Sequence, residues 1–411
     1  MEAAWTFMVY MAANNSLSGA AGVDLEELRA VGSSERVRVL TFVKQRTGTA
    51  QYIEVSNGDD EVREDLGTID SGDPNTVTDF VRWCLEHAPA RRYALVLWNH
   101  GGGWVPDDIE QLYQEIRDEE QDTGVTRGEI NFLTKGRVGR AVFTPSIKRI
   151  LALPTARDRA ICNDDTSGHS LDTIEVERIL RTATGLIGRP LDLFGMDACL
   201  MSTLEVAYQL RDLTRHVVGS EELEPGDGWR YDAILRALAD NPEMDGRALA
   251  ETVVRTYVDS YRDMQGQWPV TQCAVDTAQI GAFTDALGAF QRAVTAELAT
   301  AWPMLQRAHA RATRFQFDLV DLKTLCEHLA AMEVGDELQD ACQAVIAAHK
   351  PGGYVVAEGH LGPTVEGCGG ISLYLPSPLD ELNRYYDDLA FAKELGWDDL
   401  LRDYQRAVRE G

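Results

Sequence analysis

No stretch of this 411-residue chain approaches the roughly 18 unbroken apolar residues that a membrane helix requires. Basic residues are scarce. The 39 Lys and Arg face 66 Asp and Glu, for a formal net charge of −27. A phosphate backbone demands a basic face, so nucleic acid is excluded as a partner, while cationic segments of other proteins are favoured. Cysteines number only seven, at positions 84, 162, 199, 273, 326, 342 and 368. The count is odd and no Cys-x-x-Cys pair occurs, which speaks against zinc and against a disulfide framework. The start, MEAAWTFMVYMAANN, has neither a basic leader nor a small-residue cleavage site and reads as a strand. The expectation is a cytoplasmic protein with no membrane partner. Internal repeats and low-complexity tracts are also missing.

What is present is ordinary for a globular chain, with 44% hydrophobic residues. Over the first half, short apolar strands alternate with amphipathic helices. TFMVYMAA, VRVLTFV, ALVLWN, LDLFGM and HVVGSEE read as strands, and AQYIEV as an edge hairpin. DPNTVTDFVRWCLEHA offers Asp73 as N-cap and Pro74 at the first helical position. This alternation predicts an α/β fold with a mostly parallel central sheet covered by helices on both faces. Ligands of such sheets sit at the carboxyl ends of strands. Residues 105–160 break the rhythm with an acidic and then a basic half. After about residue 265 the pattern turns mostly helical. The expected division is a core over 1–264, with 105–160 as a charged insertion, and a helical region over 265–411.

Two strand tips carry chemistry. YALVLWNHGGGW ends an apolar strand in His100 and three glycines. LDLFGMDACLMSTLEVAYQL ends a second strand at Met196, turns through Asp197, Ala198 and Cys199, and is expected to open a helix at Leu200. A cysteine at a helix N-terminus is placed to become a thiolate, although a buried structural cysteine fits the position alone equally well. Neighbouring strands lie about 4.8 Å apart, so His100 and Cys199 can converge on one carbonyl, sulfur attacking and imidazole supplying the proton. The N–H groups of Gly101 and Cys199 can then face the oxyanion. A plain flexible turn explains the glycines without chemistry.

These stretches resemble clostripain-like cysteine peptidases, on a caspase-like α/β/α sandwich. The resemblance is carried by FMVYMAANN, LWNHGGGW, DDTSGHSLDTIEVERIL, DLFGMDACLMSTLEVA, GSEELEPGDGW and GISLYLP. It implies an endopeptidase that cuts after Arg, or Lys, using His100 and Cys199 as a dyad. By the same resemblance Asp197 and Asp227 form the S1 pocket, as a guanidinium requires. Taken singly, Asp197 is also a plausible N-cap and Asp227 a turn former. Asp164, Asp165 and Trp229 are further cleft candidates. The resemblance also implies an inactive single chain cut between the His and Cys motifs, by itself or by an upstream protease. Lys135, Arg137, Arg140, Lys148 and Arg149 are the candidate sites. A regulated intracellular response, such as bacterial stress or defence signalling, suits an enzyme of this kind.

Two departures stand out. The family often has acidic residues where this chain has Asn14, Asn15 and Ser16. Some relatives depend on calcium, but NDDTSGHSLD lacks the spacing of a calcium loop, so neither calcium nor any other cofactor is assigned. Two alternatives remain. A serine esterase would use the HGGG loop as an oxyanion hole, but its G-x-S-x-G partner is missing. A catalytically silent caspase-like binding module would have no use for the paired His and Cys.

Overall fold

The computed structural model describes residues 2–46, 48–58, 61–104, 161–167, 169–264 and 269–410. In chain order its elements are β1 (Ala3–Ala13), α1 (Ser18–Arg29), β2 (Val37–Gln45), β3 (Ala50–Glu54), β4 (Glu61–Gly67), α2 (Pro74–His87) and β5 (Ala90–Trp98). Then come β6 (Ile161–Asp164), β7 (His169–Leu171), α3 (Thr173–Ile187), β8 (Leu193–Asp197), α4 (Leu204–Gln209), β9 (His216–Gly219), α5 (Tyr231–Asp240) and α6 (Gly246–Ser260). The last part holds β10 (Val270–Asp276), α7 (Ile280–Arg311), β11 (Leu319–Asp321), α8 (Leu322–Ala330), α9 (Asp336–Ala348), β12 (Val355–Leu361), β13 (Ser372–Tyr374), α10 (Ala390–Leu395) and α11 (Trp397–Glu410).

Nine strands form one sheet in the order β12-β10-β9-β8-β5-β1-β2-β3-β4. The five central strands, β9 to β2, are parallel. The flanking strands run antiparallel. Alternation along β1 divides the core in two. Met8, Tyr10 and Ala12 enter the cluster built with α2, α3 and the C-terminal helices. Phe7, Val9 and Met11 enter the cluster built with α1, α5 and α6. Both faces of the sheet are therefore dry, which is why its strands read as continuous apolar runs. Local signals agree with this arrangement. The Asp73 side chain accepts the Asn75 N–H at 2.8 Å ahead of Pro74, and Val77, Phe80, Val81 and Cys84 are the buried stripe of α2. Asp172 and Glu175 form a capping box at the start of α3, which ends on Gly188 in the left-handed region.

The expected boundary near residue 265 cuts through this sheet. β10 and β12 lie beyond it and supply two of the nine strands. Antiparallel edge strands without a strand–helix rhythm are hard to distinguish from a helical region by periodicity, and the sequence reading missed them. GISLYLP does contain a strand, β13, but it pairs with β11 in a separate two-stranded sheet.

Candidate active site

Register brings the two strand tips together. β5 and β8 are direct parallel neighbours, and Trp98 pairs with Asp197. His100 and Cys199 each lie two residues further on, at matching positions beyond the sheet edge. The glycines after His100 make close packing feasible. A Cβ on Gly101 would lie 2.3 Å from the Cys199 carbonyl oxygen and 2.9 Å from the Ala198 Cβ. Gly103, at φ +68°, would put a Cβ 3.0 Å from the Leu200 oxygen. The bare backbone thus lets the His100 turn lie directly on the Cys199 turn.

The helix expected at Leu200 starts later. Thr203 caps α4, its hydroxyl accepting the Val206 N–H at 3.2 Å. Leu200 is left-handed at φ +63°. Ser202 and Thr203 are drawn instead into pairing with Ser220 and Ser372. Cys199 therefore does not stand at a helix N-terminus, and the helix-dipole argument for its thiol fails. A different donor takes that place. The Glu224 backbone N–H points at Cys199 Sγ, 3.2 Å away.

His100 is buried, with Ser16 Oγ 2.8 Å from its Nε2. Asn99 steadies the turn, donating from its side chain to the Ala12 carbonyl and accepting the His100 N–H. Ser16 was not singled out from sequence as a functional residue. The available signal was its place at the end of β1, the strand that turns out to lie beside β5.

Beside Cys199 lies a pit of carboxylates. Asp197 is 5% exposed, and its Oδ2 accepts the Tyr231 hydroxyl at 2.8 Å and the Trp229 N–H at 3.4 Å. Gly228, at φ +51°, passes so close that a Cβ would sit 3.0 Å from Asp197 Oδ1. Asp227 is exposed on the same turn. Two further acids close the pit. Asp24, from α1, is 1% exposed and accepts the Trp98 indole N–H at 2.6 Å. Glu224 accepts Gln272 Nε2 at 3.4 Å, and its Oε2 is buried without a hydrogen-bond partner among the described residues. Burial raises all three carboxyls above their ordinary range. The Asp197 charge pushes Asp24 and Glu224 further up, while Tyr231, Trp229 and Glu224 draw Asp197 partly back. Among the described residues no Lys or Arg pairs with any of them; Arg230, the nearby cation, is engaged by Glu27 and Asp232, each at 3.0 Å. Nothing local in VDLEELRAV marks Asp24 as a pocket residue.

Three cleft candidates lie elsewhere. Asp164 is 0% exposed and encased in donors: Lys44 at 2.5 Å, the Ser71 N–H and hydroxyl at 2.9 and 2.7 Å, and Asn14 at 2.6 Å. It is a buried anchor for the loop after β1. Asp165 pairs with Arg46 at 2.5 Å on the surface. Trp229 is 0% exposed, its ring against Gly195 in the core, while its backbone N–H meets Asp197 and its side chain lowers the Glu224 carboxyl against the larger effect of burial. Lys135, Arg137, Arg140, Lys148 and Arg149 lie outside the described residues.

The comparisons with known proteins follow the same line. The chain matches the model of the clostripain family, Peptidase C11, over residues 9–133 and 153–404. Clostripain of Hathewaya histolytica is 24% identical over 263 residues, which are 56% of this chain and 41% of clostripain. The match thus spans well under half of that relative. Among solved structures, a secreted C11 cysteine protease from Bacteroides thetaiotaomicron, in complex with an irreversible peptide inhibitor, superposes with a TM-score of 0.66 at 16% identity. The superposition covers 97% of this chain and 99% of that one. An inactive zymogen C11 protease from Parabacteroides distasonis gives a TM-score of 0.66 at 18% identity, covering 96% and 99%. At such identities the superpositions speak for the fold, a mostly parallel sheet between helices, while the family model speaks for descent: the chain belongs to the clostripain family of cysteine peptidases.

Proposed function

We propose that the chain is an endopeptidase that cuts after arginine, with Cys199 as nucleophile and His100 as its acid–base partner. The observation that carries this is the matched register of His100 and Cys199 beside the buried Asp197 and Asp24, which no Lys or Arg pairs among the described residues. Cys199 Sγ attacks the scissile carbonyl and the C–N bond breaks as His100 protonates the leaving amine. Water then releases the acyl group from sulfur. Gly101 and Cys199 N–H groups receive the oxyanion. Asp197 and Asp227 receive the guanidinium, whose planar fork suits two carboxylates better than an ammonium does. Lys is the second choice at P1.

Activation by a cut between the His and Cys motifs completes the reading. Its support is the family and the many basic residues between 105 and 160. Substrates are proteins or peptides with exposed basic residues, which suits a chain of net charge −27. The test is a fluorogenic arginyl-amide peptide. Wild type releases the fluorophore, and Cys199→Ala and His100→Ala lose on the order of 10⁴-fold or more. Intact-mass analysis of wild type and Cys199→Ala shows whether the chain cuts itself. Equal turnover by Cys199→Ala and wild type sinks the mechanism.

A further inference from the structure

We infer that Asp24, together with Glu224, is a specificity-determining residue of the arginine pocket, and that an entering guanidinium displaces a proton from this buried carboxyl group to solvent. The inference rests on the proposed arginine specificity and extends it to residues outside the nucleophile and S1 motifs.

The geometry is a chain of contacts around one point. Trp98, whose indole N–H is held by Asp24 at 2.6 Å, is the register partner of Asp197 across β5 and β8. Tyr231, whose hydroxyl is on Asp197 at 2.8 Å, has its backbone N–H on Glu27 of α1 at 2.9 Å, one turn from Asp24. Tyr261, the C-cap of α6, closes the far side, its hydroxyl on the Gly228 carbonyl at 3.1 Å. The groups that interact electrostatically with Asp24 are Asp197 on β8, Trp98 on β5, Glu27 on its own helix, Asp227 on the loop, Tyr231 on α5 and Tyr261 at the end of α6. None is a cation.

So many carboxyls cannot all be charged in a dry, cation-free space. Burial first and Asp197 second raise Asp24, and the same two causes raise Glu224. Asp24 holds its proton while the pocket is empty. A guanidinium brings one positive charge and five donors, which reverses the balance. One proton leaves for the buffer as one cation enters, so charge in the pocket is conserved. The sign follows. Arginine binds the deprotonated pocket, so affinity for arginyl substrates rises with pH from neutrality upward, until Asp24 ionises unaided. A neutral P1 side chain shows no such slope.

Two measurements test this. The first is calorimetry of the active wild-type protein with agmatine, a guanidinium without a scissile bond, in two buffers of different ionisation enthalpy. Net proton release is expected, and release is smaller once Asp24→Asn is added. The second is steady-state kinetics of the active enzyme. Asp24→Asn, an isosteric change that keeps an oxygen for Trp98, raises KM for the arginyl amide roughly tenfold, as loss of one charged hydrogen bond does. The loss falls on KM rather than kcat, and the Arg-over-Lys preference shrinks. Glu224→Gln shifts KM in the same direction, and thermal melts of both variants certify the fold. Active wild type beside folded Asp24→Asn and Glu224→Gln variants with unaltered KM, preference and proton release overturns this inference alone. Wild type inactive on arginyl amides overturns the specificity reading and this inference with it.

Discussion

Asp164 and Asp197 are both buried aspartates at the carboxyl ends of strands, and their surroundings are opposite. Asp164 meets a lysine, a serine and an asparagine. Burial alone would raise its carboxyl, but the Lys44 ammonium, the Ser71 N–H and hydroxyl and Asn14 hold it down at about 2. Asp197 meets a tyrosine hydroxyl, a backbone N–H and more carboxylates, and burial leaves it raised. The first site is electrostatically complete. Among the described residues the second has no cation, and under the proposed specificity an arginine would bring one. Buried charge is tolerated where it is paired and is costly where it is not, so the unpaired group is the candidate for function. The paired one marks scaffold: Asp164 fixes Asn14, two residues before Ser16 and thus behind His100.

The contrast can be broken most sharply by Asp197→Asn. Activity on arginyl amides is expected to fall roughly 10³-fold, about 4 kcal/mol of transition-state binding, measured as kcat/KM. Thermal stability at neutral pH should hold or rise, because a crowded buried acid is relieved. A variant that instead unfolds would make Asp197 structural, like Asp164. Asp164→Asn should do the reverse. Removing one partner of a buried pair strands Lys44, so about 3 kcal/mol of unfolding free energy is lost in denaturant melts, while the Arg-over-Lys preference of the surviving fold is kept.

The same pair predicts two slopes against pH. The folded-state pKa of Asp164 is depressed, so its contribution is full above the unfolded value near 3.8 and disappears as pH falls through about 2. By linkage this is about 2.5 kcal/mol, read from acid titration of the unfolding free energy. The Asp197 group is raised, so its share of stability falls as pH climbs above its unfolded value. Asp197→Asn should flatten that second slope only; if it changes the acid limb instead, the assignment of the two slopes is wrong. The smallest effect belongs to Ser16→Ala, which removes one hydrogen bond to His100 Nε2. A few-fold loss in kcat is expected, about 1 kcal/mol, with KM little altered. No loss at all would mean that Asn99 alone orients the imidazole turn.

Particular residues show where the sequence could be read and where it could not. The strand before HGGG, the strand before DAC and the capped helix at Asp73 follow from local pattern, and the structure has each of them. The helix at Leu200 did not follow. The apolar spacing after Cys199 is helical, but Ser202 and Thr203 found strand-like partners far away, at Ser220 and Ser372, and delayed the helix to Leu204. Asp24 was invisible for a similar reason. On α1 it is one more acid in VDLEELRAV, and only the packing of α1 over Trp98 gives it a role. That Gly101 must be bare was equally invisible, because its missing Cβ would lie 2.3 Å from the carbonyl of Cys199, 98 residues away in the chain.

The sequence by itself determined the alternation of elements, the two reactive tips and the acidic balance of the chain, because these depend on side-chain type and on spacing within a few residues. Only the tertiary structure decided which tips are neighbours, which acids share one pit and which acid finds a lysine. Electrostatic character is set by burial and by partners brought from distant parts of the chain, and no local window contains them.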